Sequence, residues 1–196
     1  QKIINDMKNF NIEFDECPLS ETEEIGEYGP YIQSKRSEIY RAFVKYFVEK
    51  DLAYPCFCSE NDLIEMRKHQ KAIKDRLGYY GKYAKCRNLT IEEAYKRIQA
   101  GESYVIRFKS HGDFNRKVVV NDLVKGKIEF PENDKDEVIL KSTDGLPTYH
   151  FAHLVDDVLM GTTHVIRDQN WLPSTPLHID LFNAYGVTPP KYAHIT

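Results

Sequence analysis

Long apolar runs are missing from this 196-residue chain. None approaches the ~20 residues that a membrane-crossing helix needs, so no membrane partner is expected. The opening stretch QKIINDMKNFNIEF has no charged start followed by a long apolar core, so it is not read as a secretory leader. Nor does it begin with Met, and a piece of a longer protein is expected. Cysteine is scarce, with four residues at positions 17, 56, 58 and 86. That supply fits free thiols or a metal site inside a cell better than a disulfide framework, and the expected location is cytoplasmic. No internal repeat and no low-complexity tract appears. What remains is ordinary globular composition, 41% hydrophobic and 29% charged, enough for one large domain or two small ones.

The net charge of −3 argues weakly against a nucleic-acid partner, but its distribution argues the other way. Residues 13–27 hold seven acids and no Lys or Arg; residues 67–87 hold eight Lys/Arg against one Asp, and residues 104–127 six against two. Residues 128–144 turn acidic again. Phosphate contacts need local rather than net charge, so the basic middle third could meet a polyanion. Solvated helix and hairpin faces would give the same composition.

Apolar spacing predicts a helix over 34–50, with Ile39, Phe43 and Phe47 on one line, Tyr40, Val44 and Val48 beside it, and Ser34 as cap. Ser59 and Asp62 open a second, more polar helix, and Thr90 with Glu93 forms a capping box for a third, which Gly101 closes. Between 103 and 143, short β-branched and aromatic runs separated by polar turns predict a small, mostly antiparallel β unit. After the turn TDG, Pro147 stands near the first helical position of PTYHFAHLVDDVLMG. Then come a strand, THVIR, a helix, STPLHIDLFNAYG, and a further apolar stretch, KYAHIT. Strand, helix and strand at this spacing predict a parallel βαβ unit. The fold class is therefore α/β, with residues 1–55 and 145–196 forming part of a doubly wound, Rossmann-like sheet and residues 56–144 inserted as an α+β domain.

The stretch HVIRDQNWLPSTP, 164–176, holds an arginine and the sole tryptophan at the end of a predicted strand. In open α/β sheets ligands bind beyond the carboxyl ends of the strands. Arg167 offers a planar fork for a carboxylate or phosphate, and Trp171 offers an apolar plate. Ser174 is expected to cap the next helix, whose start also attracts anions. A surface ion pair and a core plug would be the plainer account of the same two side chains.

Here the residues become recognisable. DGLPTYHFAHLVDDVLMGTTHVIRDQNWLPSTPLHIDLFNAYG, 144–186, resembles the second half of the catalytic domain of bacterial-type glutamyl-tRNA synthetases. YGPYIQSKRSEIY, AYPCFCSENDL and VVVNDLVKGKIEF look like further segments of that family, so the resemblance spans nearly the whole chain. It implies a class I ligase that uses ATP with Mg2+, glutamate and tRNA, with a monomer as the family expectation. Tyr149 and Arg167 match positions that hold the substrate glutamate, and His153 stands where many members carry an Asn that touches it. Trp171 and Asn170 fall on the ATP side, Asn170 replacing the usual Glu. The segment 56–144 reads as the acceptor-stem-binding domain, with Arg107, Lys109, Arg116 and Lys117 as candidate tRNA phosphate contacts. The family's His-Ile-Gly-His and Lys-Met-Ser-Lys-Ser motifs would lie outside the chain, so the chain alone is expected to be inactive. A relative that glutamylates a modified tRNA base and a stand-alone RNA-binding module are the alternatives.

Cys56-Phe57-Cys58 followed by Cys86 supplies three thiols, and a structural zinc site wants four donors. Some members of the family and its tRNA-modifying relatives hold zinc with such a set and a His or Tyr. Tyr83 is the candidate fourth donor, with Tyr80 and the more distant His69 open. Three buried reduced thiols would look the same in sequence. Asp156-Asp157 is read as capping and helix-to-helix contact rather than a metal site, because adjacent carboxylates on a helix point apart.

Overall fold

The computed structural model describes residues 2–141 and 145–196. Thr143 and Asp144 of the expected TDG turn lie outside the described residues. A short helix α1 (Lys2–Asn9) and a two-stranded ladder, β1 (Cys17–Pro18) with β2 (Glu24–Ile25), precede the main body. Helix α2 (Ser37–Glu49) follows a 3-10 turn at Gln33–Arg36. Its buried residues, Tyr40, Val44 and Phe47, recur at the spacing that puts them on one face, while Val48 is left exposed. Ser34 lies inside the 3-10 turn and caps nothing.

Strand β3 (Ala53–Cys56) pairs antiparallel with β4 (Val105–Phe108), and β4 with β7 (Val138–Leu140). Successive side chains along a strand point to opposite faces, and here both faces are covered. Ala53, Ile106, Phe108 and Ile139 face a core built with α2, α5 (Tyr149–Leu159) and α6 (Thr175–Tyr185). Phe47, fully buried, meets Phe151 edge-on at 5.2 Å and stacks near-parallel on Tyr185 at 6.2 Å. Burying a side chain of this kind contributes about 2–3 kcal/mol. Tyr54 and Cys56 face a second core with Phe57, Tyr79, Ala84 and Cys86, flanked by residues of α3 (Glu60–Ala72) and α4 (Ile91–Gln99). The three-stranded sheet is thus a wall shared by two cores. The expected boundary at 55/56 falls within β3, and two of the wall's three strands come from the segment 56–144.

The β unit expected over 103–143 is split. β5 (Lys117–Asp122) and β6 (Gly126–Pro131) form a separate antiparallel hairpin. Its turn lies beside β9 (Lys191–Ile195), where the Leu123 N–H donates to the Tyr192 carbonyl at 2.8 Å. β9 in turn pairs parallel with β8 (His164–Asp168), joined through α6: the βαβ unit that the spacing predicts. Its register sets Arg167 beside His194.

Capping explains some of the helix limits. Ser59 with Asp62 and Thr90 with Glu93 both close reciprocal capping boxes on α3 and α4. Gly186 ends α6 at φ +88°, a left-handed conformation that favours glycine. Two expectations are corrected. Pro147 precedes Thr148, the N-cap of α5, rather than occupying its first turn. Ser174 makes no cap bond, because a 3-10 segment, Gln169–Ser174, runs straight into α6 and Asp168 caps that segment instead, accepting the Asn170 N–H at 2.7 Å. Among the described residues no helix is long and apolar enough to cross a membrane.

Candidate functional site

β8 carries Arg167 to the carboxyl end of the parallel pair, where the half-buried guanidinium meets four neutral side chains. Nε donates to His194 Nε2 at 2.9 Å. Nη1 donates to His178 Nδ1 at 3.0 Å and, more weakly, to the Tyr149 hydroxyl at 3.4 Å; Nη2 donates to Thr175 Oγ1 at 3.1 Å. The guanidinium also lies 4.9 Å from the Tyr192 ring centre. Arginine has five N–H groups, so one Nη2–H has no partner among the described residues. None of the described carboxylates lies within ion-pair distance of it. Arg36, which is fully buried, behaves oppositely: its Nε donates to Asp156 Oδ1 at 2.9 Å, and the Tyr40 hydroxyl donates to the other oxygen at 2.8 Å. That ties α5 to α2, the structural use expected for Asp156. A half-buried guanidinium with an unused N–H and no carboxylate beside it can take an incoming anion.

Arginine can only donate, which fixes the tautomers around it. His178 must present a lone pair at Nδ1, leaving its Nε2–H for His150 Nδ1 at 2.9 Å. Burial pushes the His178 imidazolium far below the ordinary range, and His153, Arg167, His150 and His194 around it add to the effect; burial also lowers His150. His194 must likewise present its lone pair at Nε2, and its Nδ1 lies 2.6 Å from Asp122 Oδ2. Burial alone would raise the Asp122 carboxyl. The Lys125 N–H, the His194 ring and the N–H groups of Val124 and His194 outweigh it and hold the group at about 2.

Tyr149 opens α5 beside the guanidinium, and its ring lies 4.2 Å from that of Trp171. The pair is 42% and 38% exposed, an aromatic ledge open to solvent at the edge of the arginine. His153 is brought to the same group but is buried. Its Nε2 sits 3.0 Å from the Tyr192 hydroxyl, its Nδ1 2.7 Å from Asp157 Oδ2, and its ring lies nearly parallel to Tyr149. Asn170 is exposed on the 3-10 segment, with no side-chain partner among the described residues. A cleft of about 360 Å3 lies elsewhere, between the β5–β6 hairpin and α6, and does not include Arg167.

The candidate phosphate contacts divide. Arg107 is 5% exposed; its guanidinium lies 4.1 Å from the Tyr79 ring centre and donates to the Asp136 carbonyl, so it faces the second core and reaches no RNA. Lys109 is mostly buried in a two-pronged pair with Asp51 at 2.7 and 2.8 Å. Arg116 and Lys117 are exposed on the hairpin side, paired with Glu132 and Glu129.

The three thiols converge: Cys56, Cys58 and Cys86 Sγ all lie within 4.8 Å of one another. The fourth donor atom beside them, an oxygen, belongs to Tyr79, not Tyr83. The Tyr79 hydroxyl is 3.4 Å from Cys56 Sγ and 3.3 Å from Cys58 Sγ, and accepts the Cys86 N–H at 3.1 Å. Tyr83 and Tyr80 turn away to Asp75, at 2.7 and 3.0 Å. Hydrogen bonds from Cys86, Tyr79 and Arg107 lower the Cys56 thiol to about 4. A thiolate in this pocket is chemically suited to a soft cation.

The chain as a whole matches a known family. The family model described as tRNA synthetases class I (E and Q), catalytic domain, matches residues 1–196. The chain belongs to this family. The glutamate–tRNA ligase of Clostridium perfringens (strain 13 / Type A) is 55% identical over 192 residues, 98% of this chain and 35% of the relative. That of Acetivibrio thermocellus is 47% identical over 194 residues, 99% of this chain and 35% of the relative. Among solved structures, a glutamate tRNA ligase from Elizabethkingia meningosepticum in complex with its amino acid superposes with a TM-score of 0.83 at 35% identity, over 98% of this chain and 38% of that one. The chain thus spans about a third of the length of these synthetases. The fold is that of a class I synthetase catalytic domain with mixed α/β content.

Sequence reasoning reached Arg167, Tyr149 and Trp171 but missed Asp122, His178, His194 and Tyr79. His194 was legible in principle, because aligning KYAHIT in parallel with THVIRD sets it beside Arg167. Asp122 carries no sequence signal that it would reach His194.

Proposed function

We propose that this chain forms the amino-acid-binding part of a glutamate–tRNA ligase, which joins glutamate to tRNA through a glutamyl-adenylate made from ATP. The observation that carries the reading is the Arg167 guanidinium, ringed by neutral groups and offering an unused N–H to a carboxylate. The side-chain carboxylate of glutamate would take that N–H and displace the long Tyr149 contact, each charge-assisted bond contributing about 1.5–3 kcal/mol. Tyr149 and His153 would line the amino-acid side, and Trp171 and Asn170 the ATP side.

ATP, bound with Mg2+, would supply the adenylyl group that activates the α-carboxylate of glutamate, with pyrophosphate as the leaving group. The protein's own part is positioning and charge stabilisation, which needs no protein nucleophile. In the family that this chain resembles, other segments are expected to hold the ATP phosphates, and these 196 residues assayed by themselves would be inactive. Segment 56–144 would bind the acceptor stem, with Arg116 and Lys117 as phosphate contacts. Cys56, Cys58, Cys86 and Tyr79 would hold a structural zinc ion, which would replace the thiol protons and pin β3 to the loop carrying Cys86. A monomeric, cytoplasmic protein is the matching cellular reading. The named relatives favour the ligase over the tRNA-modifying enzyme and the RNA-binding module.

Aminoacylation of tRNA with labelled glutamate by the intact protein tests this reading. Charging should fall to background in Arg167→Ala. Charging with glutamine in preference to glutamate, or an Arg167→Ala variant as active as the parent, would refute it.

A further inference from the structure

Arg167 can serve a carboxylate only if its fork points the right way, and an arginine side chain has four rotatable bonds with which to point elsewhere. Three of its partners, Tyr149, His178 and Thr175, bond the outer Nη atoms that a ligand would use. Only one bond holds the inner edge: Nε to His194 Nε2 at 2.9 Å. His194 is fully buried and stands in register with Arg167 on the neighbouring strand. Its other nitrogen lies 2.6 Å from Asp122, whose side chain is also fully buried.

Asp122 is the last residue of β5, on a hairpin that ends more than thirty residues before the βαβ unit begins. Its carboxylate is itself fixed, accepting the N–H groups of Val124 at 3.0 Å, Lys125 at 2.8 Å and His194 at 3.2 Å. It has no arginine or lysine partner among the described residues and is buried without one. A buried carboxylate is costly to keep unless its bonds are needed.

We propose that Asp122 and His194 are positioning residues for the amino-acid site: Asp122 holds the His194 proton on Nδ1, so that Nε2 stays an acceptor and locks the inner edge of Arg167. The inference deepens the reading of Arg167 as the glutamate-binding group and rests on it. It assigns to the β5–β6 hairpin, which lies in the segment otherwise given to RNA, a part in orienting the amino-acid site. The other His194 tautomer would set an N–H against the Arg167 N–H, and the guanidinium would have to swing away. A carboxylate that receives the outer histidine proton enforces the tautomer by charge, whereas an amide can flip and present either end.

The test combines binding and spectroscopy on the intact protein. L-glutamate titration by calorimetry is compared in the parent, His194→Phe, His194→Gln and Asp122→Asn, with ATP titration as a control. His194→Phe keeps the ring but loses the acceptor, and should weaken glutamate binding by about tenfold or more, while ATP binding moves less than about twofold. His194→Gln, whose carbonyl can accept from Nε, should recover most of the loss. Asp122→Asn should weaken glutamate binding about fivefold or more. Nitrogen-15 spectra of the parent's histidines should show His194 protonated at Nδ1, and in Asp122→Asn a shift toward the other tautomer. Equal glutamate affinity in all four proteins would overturn the relay while leaving the ligase reading intact. A parent that binds no glutamate would sink the ligase reading, and the tautomer then decides the relay independently. A parent His194 protonated at Nε2 overturns the relay whatever the titrations give, and this readout also serves if the variants fail to fold.

Discussion

Acidification should destabilise this protein through one histidine. His178 is fully buried on α6, its Nδ1 facing Arg167 and its Nε2 facing His150, with His153 and His194 around it and, among the described residues, no carboxylate in hydrogen-bond contact. A proton there would sit against a guanidinium in a dry site, so the folded chain refuses it and the pKa lies far below the ordinary 6.5. The unfolded chain takes the proton up. Stability is then full well above pH 6.5 and falls as the pH drops through that value. At about pH 5.5 the cost is about 1.4 kcal/mol for this one residue, since each pH unit below the unfolded-state pKa adds about that much. In a chain of this length it corresponds to a fall in Tm of roughly 3–6 °C. His150, also lowered by burial, adds in the same direction. Asp156 and Asp180, whose carboxyls burial pushes up, act in the opposite direction. The decisive quantity is therefore the difference between the parent and His178→Asn, whose amide oxygen can replace the lone pair but cannot titrate. Thermal unfolding followed by circular dichroism at about pH 7.5 and about pH 5.5 measures it. The variant should lose less stability on acidification by about 1 kcal/mol. Identical losses in the two proteins would refute the placement of a neutral histidine against Arg167.

Three further outcomes follow from the packing and the thiols. Phe47→Ala empties the point where α2, Phe151 and Tyr185 meet and should cost about 3–5 kcal/mol in urea unfolding. Arg36→Met strands the Asp156 carboxylate between α2 and α5, and should cost about 3 kcal/mol at neutral pH by the same method. Elemental analysis of untagged protein should find one zinc per chain, lost in Cys86→Ser; a value near zero in the parent would leave three reduced thiols as the account of the second core.

Much of this molecule could be read before its coordinates, and the failures have physical causes. Capping boxes at Ser59–Asp62 and Thr90–Glu93 are local, and so were legible to the residue. The parallel βαβ unit followed from strand–helix–strand spacing. Ser174 misled because Pro173 and its neighbours continue a 3-10 turn into α6, moving the working cap back to Asp168. Arg107 misled because charge composition does not say which face of a strand points outward. On β4 it shares a face with Val105 and turns onto Tyr79 in the second core. The fourth donor at the thiols was assigned by its nearness in sequence to Cys86, but Asp75 captures Tyr80 and Tyr83 and leaves Tyr79 inside. Asp122 could not be foreseen at all, because its role depends on a hairpin lying beside β9, a contact between distant stretches of chain.

The central claim is that Arg167 is a cation awaiting a carboxylate. Calorimetric titration of the intact protein with L-glutamate and with L-glutamine tests it most directly, in the parent and in Arg167→Ala. The account predicts saturable glutamate binding to the parent, weaker binding of the uncharged glutamine by about tenfold or more, and no measurable glutamate binding to the variant. Glutamate and glutamine binding equally well, or glutamate binding that survives Arg167→Ala, would contradict it.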